Sequence, residues 1–64
     1  MYPVMRTRKG VVLYEVEGNF VASEPQEILK ALNQDLHSKI QEDRERALGI
    51  LMLIKGSGGV KVMK

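Results

Sequence analysis

His37 is the only imidazole in this chain of 64 residues, and no cysteine accompanies it. A nucleophilic triad would have to be assembled from His37, Asp35 and Ser38. Neighbouring residues on a helix diverge by about 100°, so these three do not converge on one reacting atom. His37 reads instead as a boundary residue of a surface helix. A second candidate is the carboxylate pair Glu15 and Glu17, two residues apart on one strand face. General acid–base work needs a cleft and a perturbed carboxyl group, and a hairpin tip offers neither. Charge at that place serves solubility and protects a strand edge. The third candidate is Gly56-Ser57-Gly58-Gly59, which has the glycine density of a phosphate cradle. Phosphate loops lie between a strand and a helix whose N-terminus faces the anion. Only Val60 to Lys64 follow here, they read as strand, and they lack the Gly-Lys-Ser/Thr ending. A zinc site needs several nitrogen or sulfur ligands, and one histidine does not supply them. The residues therefore predict a protein that is not an enzyme and holds no cofactor and no metal.

The remaining chemistry is charge. Net charge is +2, with a pI near 9.2. Residues 1–14 carry +3 from Arg6, Arg8 and Lys9, and residues 47–64 carry +3 from Lys55, Lys61 and Lys64. The segment between them carries −4. If the termini pair in one sheet, the six basic residues line a single edge and could contact nucleic-acid phosphates. Tyr2, Tyr14 and Phe20 are the only aromatic residues, and none is interleaved with the basic ones as base stacking would need.

These residues must be positioned by a small set of elements. Val11 to Val16 is rich in β-branched residues and reads as a strand between Gly10 and Gly18. Gly18-Asn19 is a two-residue hairpin signal that would pair Glu17 with Phe20 and Val16 with Val21. One face then holds Val12, Tyr14, Val16 and Val21. The other holds Val11, Leu13, Glu15, Glu17, Phe20 and Ala22. Tyr2 to Thr7 offers a further strand, with Pro3 confining it to an edge or a strand start. Ser23, Pro25 and Gln26 form a helix-start signature of the capping-box kind. Ile28, Leu29, Leu32, Leu36 and Ile40 fall within an arc of about 120°, a core-facing stripe. Asp43 returns to the azimuth of that stripe, so burial ends near Ile40. Gly49 can stop the helix. Ile50 to Ile54 is apolar throughout. Leu and Met also favour helix, but Gly49 and Gly56 on either side point to a buried strand. Gly56 to Gly59 is then a hairpin loop and Val60 to Met63 the closing strand.

The sequence thus predicts a single α+β domain over residues 1–64. Its order is β-β-α-β-β, with an optional extra N-terminal strand. One long amphipathic helix covers one face of a small antiparallel or mixed sheet. The hairpin, the helix and the Ile-Leu-Met-Leu-Ile run with its glycine-rich loop resemble the core of Roadblock-type domains. That resemblance implies a dimerising scaffold module serving small GTPases or motors.

Below about 70–80 residues a single core rarely supplies more than about 3–5 kcal/mol, so a second copy is the natural support where disulfides and zinc are excluded. The uncovered sheet face, carrying Val11, Leu13, Phe20, Leu51 and Leu53, is the expected dimer interface. The function read from sequence is a non-catalytic homodimer, or higher oligomer, that binds another protein. The alternative is a small nucleic-acid-binding regulator using Arg6, Arg8, Lys9, Lys55, Lys61 and Lys64. The longest apolar run, Ile50 to Ile54, is far below the roughly 18 residues of a membrane span. Glu15 and Glu17 interrupt any signal peptide. The cysteine-free composition fits the cytoplasm.

Overall fold

The computed structural model describes residues 1–63. The order is β1 (Tyr2–Arg6), β2 (Val12–Val16), β3 (Asn19–Ala22), α1 (Pro25–Asp35), α2 (Gln41–Ser57) and β4 (Val60–Val62). The strands form one sheet in the order β1-β2-β3-β4. The first two pairings are antiparallel and the last, β3 with β4, is parallel. This is an α+β fold with a four-stranded mixed sheet and two helices. β1 is an edge strand with Pro3 near its start, a place that satisfies both positions open to that proline, and the register slips between Pro3 and Met5.

The β2–β3 turn is Glu17-Gly18, one residue earlier than Gly18-Asn19. Both turn residues have positive φ, 51° and 81°, as a type I′ turn demands. The pairs become Glu15 with Phe20 and Val16 with Asn19. Moving a turn by one residue moves the register by two, so every side chain keeps its expected face.

Which face is covered differs from expectation. Val11, Leu13, Phe20 and Ala22 are buried beneath the helices together with Ile28, Leu32, Ala47 and Ile54. Val11, Leu13 and Phe20 are therefore core residues and cannot be an open dimer interface. The uncovered face is the other one, with Val12, Tyr14, Val16 and Val21 half-buried.

The single long helix is two helices, and the expected strand at residues 50–54 lies inside the second. A continuous helix over residues 25–57 would run about 50 Å, whereas a five-residue strand spans only about 17 Å. Such a helix would also aim Asp43 at the core. Turning at residues 36–40 lets Ala47, Ile50, Leu51 and Ile54 pack toward the same core at the i, i+3, i+4, i+7 spacing of one helix face. Ile40, extended at φ −89° and ψ 118°, starts α2 and is exposed. The turn has its own bonds. The Ile40 amide donates to Ser38 Oγ at 3.1 Å, and the Arg44 guanidinium donates to the Ser38 carbonyl at 2.7 Å.

Two end signals also moved. Ser23 does not cap α1, which begins after Glu24 with Pro25 in its first turn and no side-chain cap. Gly49 stays helical, and Gly58 in the left-handed region (φ 96°) ends α2. Gly58-Gly59 consequently links a helix to a parallel strand and is no hairpin loop.

Candidate functional site

Two of the triad candidates, His37 and Ser38, are engaged with other groups. His37 Nδ1 lies 3.0 Å from the Asn33 carbonyl, to which it can only donate. The Ser38 hydroxyl faces Asp43 at 3.5 Å and the Ile40 amide. Among the described residues, no group of three or more His, Cys, Asp or Glu side chains could hold a metal ion. No helix among them is long and apolar enough to cross a membrane.

The basic residues are spread over three places. β1 and β4 are opposite edges of the sheet, so Arg6 and Lys61 stand about 14 Å apart or more, at three strand spacings. That corrects the single basic edge. Both nevertheless lie on the uncovered sheet face, because Arg6 pairs with Val12 and Lys61 with Val21. Lys61 Nζ donates to Asn19 Oδ1 on the same face at 3.4 Å. Arg8 and Lys9 occupy the β1–β2 loop, where Lys9 pairs with Glu27 of α1 at 3.2 Å. They border a polar cleft of about 680 Å³ that also takes in Glu27, Lys30, Asp35 and Asp43. Arg6 lines it as well, so four bases face three acids there, and one of the bases, Lys9, is already paired with Glu27. Lys55 lies on α2, and Lys64 falls outside the described residues.

Leu51 and Leu53, both expected in an interface strand, are separated by the helix. Leu51 packs half-buried against the core, while Leu53 points outward. It has company there. Leu48, Met52 and Leu53 are 53%, 66% and 61% exposed. With Leu48 at the origin, Met52 lies about 40° and Leu53 about 140° around the helix, and Gly49 and Gly56 fall between them. Beside this face runs a groove of about 500 Å³, lined by Tyr2, Val4, Glu15, Gly18, Phe20, Met52, Leu53, Gly56 and Ser57. Tyr2, Met52 and Leu53 thus extend one apolar surface from the outer side of α2 to the end of the sheet.

Leu48 and Met52 were missed by sequence reading. The signal was present: residues 47–54 hold more large apolar side chains than one helix face can bury.

The chain matches no protein-family model, no curated protein and no solved structure. The Roadblock-type resemblance required a strand at residues 50–54, and that segment is helical. Two faces of the fold are left uncovered, the outer side of α2 and the open side of the sheet.

Proposed function

We propose that the chain is a non-catalytic interaction protein that associates with itself through the outer face of α2 and binds another protein as that assembly. The observation carrying this reading is the trio Leu48, Met52 and Leu53. Large apolar side chains grouped on one helix face, with an apolar groove alongside, have the character of an interface. The core they would reinforce is small, with eight buried apolar residues among those described. The test is mass in solution by light scattering at micromolar concentration. A dimer or higher oligomer is expected for the natural chain, and a folded monomer for Leu53→Glu. A natural chain that stays monomeric at that concentration overturns the reading.

A second reading, nucleic-acid binding, draws on one feature. The charged side chains that strand alternation places on the open sheet face, Arg6 and Lys61, are both basic, and Tyr14 lies between them. A single strand could lay its phosphates along such a face with one base against Tyr14.

A further inference from the structure

Resting on that self-association reading, we infer that two copies join by packing α2 antiparallel against α2, with closest approach over Gly49 and Gly56. These glycines lie seven residues apart, within about 20° of one line along the outer face. Neither has a conformational reason within one chain. Both are helical, and neither is among the positive-φ residues. A Cβ at either position would meet nothing within 4 Å. Glycine inside a helix is markedly worse than alanine. Two such weaknesses on one outward line, flanked by Leu48 and Met52 on one side and Leu53 on the other, suit a surface that another backbone approaches closely.

Charge selects the occupant and its direction. The outward side of α2 begins with Glu42 and Glu45 and ends with Lys55. Among the described residues, none of the three is in an ion pair. Glu45 only accepts from Gln41 one turn earlier, at 3.1 Å. Antiparallel pairing about the Gly49–Gly56 midpoint leaves Glu45 of each about five residues, roughly 7 Å along the axis, from Lys55 of the other, within reach of the long lysine side chain. Parallel pairing would stack like charge on like charge, which opposes association. The open sheet face is a poorer self-contact, because two copies laid face to face would oppose basic residues with no strand carboxylate between them.

The natural absence of cysteine makes the geometry directly testable with single-cysteine variants. Disulfides form only where Cα atoms approach within about 7 Å. Under mild oxidation, Met52→Cys, near the two-fold axis, is expected to cross-link with itself. Gly49→Cys and Gly56→Cys, which face each other about that axis in an antiparallel pair, should each stay largely uncross-linked alone and cross-link when mixed. Self-cross-linking of all three would mean a parallel pair and overturn the proposal. So would a dimeric mass in which none of them cross-links, since association would then use another surface while the self-association reading stood. A monomeric natural chain would remove both together. Gly49→Leu supplies a second measurement, because the isolated chain has room for the added side chain. It is expected to weaken the dimer by about tenfold or more with helical signal retained, while Gly49→Ala should weaken it less. An unchanged dimer for Gly49→Leu overturns the close approach.

Discussion

Thr7 Oγ1 accepts a hydrogen bond from the Val11 amide at 3.1 Å, and the Thr7 amide donates to the Val11 carbonyl at 2.8 Å. Both residues are buried, and Thr7 is the only buried polar residue among those described. Between them, Arg8, Lys9 and Gly10 form a three-residue loop with Gly10 at φ 89° and the Gly10 amide on the Thr7 carbonyl. That is the usual build of a hairpin whose last loop residue is left-handed. The threonine hydroxyl gives the inward-facing Val11 amide the partner that the wide turn withholds. Thr7→Val keeps the shape and removes the acceptor, leaving a buried amide unpaired. The expected loss is about 1–3 kcal/mol, read as a lower urea midpoint with unchanged slope. Thr7→Ser should retain most of the stability.

The second hairpin stores a local conflict. Glu17 at φ 51° is the only described non-glycine residue with positive φ, a conformation that disfavours most side chains with a Cβ. Asparagine tolerates it far better. Glu17→Asn should therefore stabilise the fold by about 0.5–1 kcal/mol. Gly18→Ala should destabilise it by about 1–2 kcal/mol for the opposite reason. Thermal melts of the two variants would check the signs, and a lower midpoint for Glu17→Asn would refute the turn assignment.

These two hairpins also mark what was legible in the sequence. Alternation identified the side chains sharing a face in β2 and β3, and the face assignments survived the shift of the turn, because the pleat repeats every two residues. The choice of which face is covered was not legible, since Val12, Tyr14, Val16 and Val21 are as apolar as Val11, Leu13 and Phe20. Only the placement of the helices breaks that tie. The helix break at residues 36–40 was half-legible. Asp43 returned to the core azimuth and signalled that the stripe could not continue straight. What the residues did not disclose was that the chain would turn and reuse the stripe. That outcome follows from matching helix length to a sheet of short strands. Gly49 and Gly56 misled for a related reason. Gly49 reads as a helix stop and Gly56 as the start of a hairpin loop, yet both lie on the outer face of α2, where glycine weakens a helix without breaking it.

Leu13 and Leu53 separate folding from association. Leu13 is fully buried at the centre of the sheet and Leu53 is largely exposed. Leu13→Ala should cost about 2–5 kcal/mol, as buried leucine truncations do, and so unfold much of a domain this small. Leu53→Ala should leave the circular-dichroism spectrum of the folded protein intact and change the concentration dependence of its mass. Equal destabilisation of the two variants at low concentration would show that Leu53 belongs to the core.

Arg44 and Arg46 make a matched pair for the turn between the helices. The half-buried Arg44 donates to the Ser38 carbonyl at 2.7 Å, across the break. Arg46 meets Asp43 at 3.4 Å on the exposed side. A charged donor on a partly buried carbonyl should be worth about 1–2 kcal/mol, whereas an exposed ion pair is worth well below about 1 kcal/mol and fades with salt. Arg44→Met is thus expected to lower the urea midpoint clearly and by the same amount at low and high salt. Arg46→Met should have little effect at low salt and none at high salt. Arg44 ties the start of α2 to the Ser38 carbonyl in the turn between the helices, so hydrogen exchange in Arg44→Met should quicken first at residues 36–40. Exchange that instead quickens evenly along α2 would place the anchor of the second helix in its apolar contacts alone, with Ala47 and Ile54 sufficient to set its position.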